Sequence, residues 1–267
     1  MVHPTDAGYH DPVKSSRFKT GRISDAHTLE RAAARKLGGA LALVGALVYL
    51  AGLLWHGDLP DATTAMALAH VAERPDWHLI HLLAIGGALL WVGAFAAVAH
   101  ALPAGVGRLL ARLAVLAIAV GAAVFIVHYS IDGYRLKHIA DAWRAATGAE
   151  REALLRVAQT LLGILGGTFR SYIMCLYGLP FILLGLAIAR SALYPAWFGW
   201  VAVVAGSGAL VTGAVQFLGG NLIPFPVLFG ACVIPLNIWL AALGVLTWRR
   251  GATGDGSRQA LQESGAA

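Results

Sequence analysis

The sequence predicts an all-α membrane protein: a six-transmembrane-helix bundle with an amphipathic helical segment between spans three and four. Three observations carry this reading. Mean hydropathy is +0.69. Charged residues make up only 13% of the chain, against about 25% in a soluble domain. The apolar residues also gather into six runs, Leu37–Trp55, Leu79–Leu102, Leu109–Tyr129, Thr168–Ala189, Trp197–Leu218 and Phe225–Trp248. Each is close to the roughly 20 residues that a helix needs to cross the hydrocarbon core. The runs are continuous and rich in Ala and Leu, whereas membrane strands alternate, so helices are favoured over a barrel.

The chain divides into a leader, residues 1–36, a membrane domain, residues 37–250, and a tail, residues 251–267. Residues 1–23 mix Gly, Pro, Ser and charge and are expected to be partly disordered. A helix start is expected at Ser24, in the run Ser24-Asp25-Ala26-His27-Thr28-Leu29-Glu30, with Ser24 as N-cap. That helix should continue through Arg35-Lys36 into span one. The first span lies behind this polar leader, has no small-residue cleavage site and precedes five more spans, so it does not read as a signal peptide. The tail is small and polar and is expected to be mobile.

Basic residues set the expected orientation. With the N-terminus inside, inner segments carry 13 Lys and Arg and outer segments 7, five of the latter between spans three and four and a sixth, Arg170, at the start of span four. Both termini are therefore expected on the cytoplasmic side of a bacterial cytoplasmic membrane. The net charge of +6 flanks the spans and forms no basic groove, so nucleic acid is not an expected partner; the lipid bilayer is. Cys175 and Cys232 both fall within spans, with no CxxC, and read as small buried side chains.

Between spans three and four the sequence predicts a helix over Tyr134–Trp143 and an amphipathic one over Ala149–Leu165. Ala153–Gly167 carries Arg156 and Gln159 and is too short to cross, so it belongs at the interface, adjoining span four through Gly166-Gly167. In span six, Pro235 should kink the helix, and Asn237 can supply a compensating hydrogen bond.

On this threading the polar groups cluster at the outer ends of the spans. His56 closes span one, His78 and His81 open span two, and His128 closes span three, followed by Asp132. Arg170 and Tyr172 open span four, and Gln216 lies near the outer end of span five. His78 and His81 are three apart and His128 and Asp132 four apart, spacings that share a helical face. These four residues, with His56 as a further ligand, form a candidate metal site. Imidazoles and a carboxylate suit zinc or another divalent ion, and two imidazoles from different helices suit b-type haem. Arg170, Tyr172 and Gln216 are candidate ligand-binding residues, Arg170 as partner of Asp132 or of an anion.

Three readings stand side by side. The histidines can be interfacial anchors, as Trp55-His56 and Trp77-His78 suggest. They can hold a metal or haem, or they can line a metal-free pocket that transfers protons. The corresponding functions are a membrane protein with a small-ligand, metal or haem site, a metal-free enzyme or binding protein for a lipid-like substrate, and a structural or partner-binding subunit. No span carries a deep Asp, Glu or Lys, which argues against a proton- or sodium-coupled transporter. GxSxG, P-loop and Rossmann patterns are missing too.

Several landmarks are shared with known sequences. They are His56 at the end of span one, Trp77-His78 at the start of span two, and Asp132-Gly133-Tyr134-Arg135-Leu136-Lys137 followed by Asp141-Ala142-Trp143. The turn Tyr194-Pro195-Ala196-Trp197-Phe198-Gly199-Trp200 is another. In this order they resemble a group of uncharacterised bacterial six-span membrane proteins, common in actinobacteria and other high-GC lineages. The resemblance covers roughly residues 37–215 and implies fold and location. It transfers no catalytic residue. The group often has proline after the first histidine, where this chain has Gly57.

Overall fold

The computed structural model describes residues 12–60, 62–220 and 224–264, with side-chain surroundings from 29 to 251 except at residues 61, 221–223, 225, 226 and 229. Among the described residues the chain is helical without a strand. Six helices are long and apolar enough to cross a membrane: Leu29–His56, Trp77–Ala101, Val106–Ala145, Gly148–Ala189, Ala196–Phe217 and Gly230–Gly251. The protein is an all-α, six-span integral membrane protein.

Helix α1 runs Pro12–His56, so it begins twelve residues before the predicted start at Ser24. The expectation of disorder in residues 1–11 lies outside the described residues. So does the expectation for residues 265–267 of the tail, while α10 runs Ile234–Ser264. Helix α2 is Thr64–Ala72, begun by the Thr63 hydroxyl, which accepts from the Met66 N–H at 3.2 Å. Helix α3, Trp77–Ala101, follows Pro75-Asp76, and α4 is Val106–Ser130. The tight turn between them has Gly105 at φ 134°, and Arg108 Nε donates to the Leu102 carbonyl at 2.6 Å.

The main departures from the predicted layout lie after α4. Span three does not stop at Tyr129: a π turn, Ile131–Leu136, carries it into α5, Lys137–Ala145. Helix α6, Gly148–Tyr172, passes through a second π turn, Ile173–Gly178, into α7, Leu179–Ala189. Ala153–Gly167 is thus continuous with span four through Gly166-Gly167, an arrangement the sequence left open. The last span, after α8, Ala196–Phe217, and the short α9, Phe225–Leu228, contains a third π turn, Phe229–Val233. Pro180 and Pro235 stand just beyond the second and third π turns; each lacks the N–H that an α-helical bond requires, so a widened turn is the local solution. As expected, the Asn237 amide donates to the backbone there, reaching the Val233 carbonyl at 3.0 Å.

Small residues let the helices approach closely. A Cβ on Gly87 of α3 would lie 2.7 Å from the Tyr49 Cβ and 2.8 Å from its backbone nitrogen on α1. The space this contact encloses is filled by Tyr49, Trp91, Phe125 and Tyr177, with Tyr49 and Trp91 ring centres 4.4 Å apart. The Tyr49 and Tyr177 hydroxyls are hydrogen-bonded in this core. Both cysteines are free thiols; Cys232 is buried but Cys175 only half-buried, a lesser burial than expected.

At the end of the bundle where α1 stops and α3 starts, α2, α5 and the first half of α6 form a helical cap. Its own core comprises Leu68, Val71, Trp77, Leu136, Ile139, Ala140, Trp143, Ala158 and Leu165. Lys137, itself buried, ties α5 to the carbonyl of Ala72 at 3.2 Å and to Asp141 at 2.7 Å. Arg151 lies over the Trp143 ring at 4.0 Å, closing the turn between α5 and α6. Arg74 donates to both Asp76 oxygens at 3.0 Å and to the Trp55 carbonyl at 2.9 Å, clipping the end of α1 to the start of α3. Those bonds hold the Asp76 carboxyl below its usual range. The stabilisation they give is present above the unfolded carboxyl's range and is lost as pH falls through the lowered folded value.

On α6, Ala158 and Leu165 are buried, Leu154, Leu155, Leu161 and Leu162 half-buried, and Arg156, Val157, Gln159 and Thr160 exposed. Single cysteines at positions 153 to 160 should accordingly label strongly at 156, 157, 159 and 160 and weakly at 158. Uniform protection of all eight positions would contradict this surface helix.

Candidate functional site

Beneath the cap, three ionisable side chains from three elements meet. His56 is the last residue of α1, and the helix ends there because Gly57 adopts φ 67°, the left-handed stop that glycine tolerates. This turn brings the Gly57 carbonyl back over the His56 ring, 2.6 Å from Nδ1. One turn into α3, His81 Nδ1 lies 2.7 Å from the Trp77 carbonyl. Asp132 is the second residue of the first π turn. The Trp77 indole N–H donates to its backbone carbonyl at 3.0 Å, fixing the widened turn against α3.

The ligand atoms of His56, His81 and Asp132 all lie within 4.8 Å of one another, an arrangement that could hold a metal ion. Asp132 Oδ2 is 3.4 Å from His56 Nε2 and 3.3 Å from His81 Nε2. Hydrogen-bond logic then constrains the site. A carbonyl can only accept, so both Nδ1 atoms carry hydrogen. A neutral ring therefore presents Nε2 as a lone pair. Two lone pairs facing one carboxylate oxygen are unfavourable unless positive charge lies between them. Both Nε2 atoms and Asp132 Oδ1 are buried without a hydrogen-bond partner. A buried unpaired charge costs several kcal/mol. A proton on one imidazole relieves one of the two contacts, whereas a single cation between the three ligand atoms relieves both.

Aromatic rings enclose the triad. The Trp77 ring centre is 4.6 Å from that of His56 and 4.8 Å from that of His81. The ring centre of Tyr129, on α4, lies 5.0 Å from that of His81. Gly133 permits the closest approach, since a Cβ there would come within 2.5 Å of His81 Cβ and Cγ. The sequence reading treated Trp77 as an interfacial anchor; it is fully buried and holds the site, while Trp55 is exposed as an anchor should be.

The other candidates fall elsewhere. His78 is exposed and faces His138 and Tyr134, with ring centres 5.6 Å and 6.0 Å away. The 60° between helical positions three apart was enough to separate it from His81. His128 is not in the triad either: its Nδ1 is 2.8 Å from the Thr168 hydroxyl, and its ring packs on Tyr172 at 4.9 Å. The π turn is the reason, because the widened turn rotates Asp132 off the face that four-residue spacing would share. Arg170 Nη1 donates to the Gly166 carbonyl of its own helix at 2.6 Å. Tyr172 is buried among Phe125, His128 and Phe169, and Gln216 is half-buried near the end of α8. Tyr129 and Thr168 carried no signal as site residues in the sequence, and Trp77 pointed there only to the interface; a buried indole next to two histidines has no signature in spacing.

No family model, curated protein or solved structure gives a significant match to this chain.

Proposed function

We propose that the protein binds a divalent metal ion, zinc in preference to haem, at His56, His81 and Asp132 in the outer half of the bundle. The observation that carries this reading is the convergence of two lone-pair nitrogens and a carboxylate oxygen, each histidine pinned through its other nitrogen. Backbone bonds to the second imidazole nitrogen are the usual support of a metal-ligating histidine. Zn–N distances of roughly 2.0–2.1 Å, plus about 1.1 Å from nitrogen to ring centre, put each centroid about 3.2 Å from an ion. The 4.9 Å between the His56 and His81 centroids then corresponds to an angle of about 100°, near tetrahedral. A b-type haem needs a slot between its axial imidazoles, and here both nitrogens converge on one oxygen. Two histidines and one carboxylate leave a fourth position for water or a small ligand, where a bound zinc would act as a Lewis acid.

We further read the protein as a member of the bacterial six-span group that it resembles, residing in the cytoplasmic membrane with both termini cytoplasmic. The 13-to-7 basic asymmetry supports this orientation, which puts the triad and its cap on the outer side. Reporter fusions at the C-terminal tail and at residue 145 should report opposite sides. An external C-terminus would reverse the assignment of the triad. The metal reading is tested by elemental analysis of detergent-purified protein: about one tightly held divalent ion per chain is expected. Metal-free protein that stays so on zinc titration would leave the triad as a proton-transfer pocket.

A further inference from the structure

We propose that His78 and His138 form a second, accessible site for a divalent transition-metal ion, from which the buried triad is loaded. The loading role rests on the metal reading of the triad; the second site does not. His78 and His138 come from α3 and α5, on either side of the triad's own His81 and Asp132, and both are exposed. Their ring centres are 5.6 Å apart at an interplanar angle of 84°. With each centroid about 3.2 Å from an ion, that separation gives an angle of about 120°, within reach of tetrahedral or trigonal coordination by two imidazoles and water.

The tautomer is prepared in the same way as in the triad. His138 Nδ1 lies 2.8 Å from the Tyr134 carbonyl, so Nε2 is left as the lone-pair nitrogen. The Tyr134 ring packs against His138 with ring centres 4.2 Å apart at an angle of 39°, holding the imidazole in place. Along α3, His78 is three residues from His81, an axial offset of about 4.5 Å. His78 of the exposed pair therefore stands about one helical turn from the buried His81. The triad itself is mostly enclosed, its His56, His81 and Asp132 side chains 14%, 3% and 6% exposed. A site that enclosed fills more readily from an ion already partly dehydrated nearby.

The test uses metal-free, full-length protein in detergent, titrated with Zn²⁺ and, for spectroscopy, with Cu²⁺. Wild type should take up two ions per chain, the weaker giving an imidazole-ligated Cu²⁺ signal. The double variant His78→Ala/His138→Ala alters only exposed side chains. It should bind one ion and fill the triad roughly 10-fold more slowly at limiting Zn²⁺. An unchanged ion count, or an unchanged filling rate, overturns the proposal. Asp132→Asn separates the two readings: it should keep the pair's Cu²⁺ signal while losing the buried ion. If it instead keeps the buried ion, the triad reading fails, while the double variant still decides whether the exposed pair binds.

Discussion

Replacing Asp132 by Asn should leave a folded protein that has lost its tight metal site, with affinity for Zn²⁺ lower by at least about 100-fold. Loss of a supporting carboxylate typically costs 10–100-fold, and loss of a ligand is expected to exceed that. The isosteric amide keeps shape and volume, and its NH₂ can donate to one of the two Nε2 atoms that Asp132 Oδ2 now faces at 3.3 and 3.4 Å. It removes the negative charge that a cation requires. Stability in metal-free buffer should therefore change little, or rise, because a buried carboxylate between two lone pairs is itself unfavourable. The stabilisation that wild type gains from added zinc should vanish. His100→Ala, which changes only the exposed partner of Glu30 at the other end of α3, serves as control. Equal zinc-dependent shifts in melting temperature for wild type and Asp132→Asn would sink the metal assignment.

Substituting Gly133 by Ala should weaken both the fold and the site, which distinguishes close packing from helix propensity. Alanine is about 1 kcal/mol better than glycine inside a helix, a gain that would apply wherever space is open. At Gly133 the added carbon meets His81 Cβ and Cγ at 2.5 Å, and neither is the movable end of a flexible chain. Overpacking of this kind costs about 1–3 kcal/mol, so the clash outweighs the propensity term. His81 must shift, and with it the nitrogen that completes the triad. The expected result is a lower melting temperature and a zinc affinity reduced about 10-fold or more. Gly86→Ala is the matched comparison: it lies on α3 with nothing within 4 Å of an added carbon. It should be neutral or slightly stabilising, with zinc binding intact. A Gly133→Ala protein as stable as wild type, with equal affinity, would remove the packing account of how His81 is positioned.

Much of this architecture is written in composition and spacing. Apolar runs of bilayer length are enough for six helices, because unsatisfied backbone groups are too costly in lipid for anything but a closed hydrogen-bonded element. Pro235 followed by Asn237 announced the irregularity of the last span, and the Asn237 amide bonds the Val233 carbonyl beside it. His56, His81 and Asp132 were legible as candidates, since ionisable side chains within or at the ends of apolar spans are functional candidates by default. Which candidates meet was not legible. Helical periodicity grouped His78 with His81 and His128 with Asp132, yet each pair is split.

The splitting has local causes that only the tertiary structure decides. On α3, a 60° difference in azimuth divides the face packed against α1 from the face turned towards His138. After α4, the π turn at Ile131–Leu136 moves Asp132 towards α1 and α3, where the Trp77 indole holds it, and leaves His128 with Thr168. A π turn saves no local energy and has no strong sequence code; it forms here because the packing of Gly133 on His81 and the cap over Leu136 and Ile139 reward it. The sequence by itself therefore determined the membrane class, the number of spans and the end of the bundle that carries the polar groups. The folded packing alone selected the three residues that converge, because convergence depends on rotations of a fraction of a turn that apolar patterning does not encode.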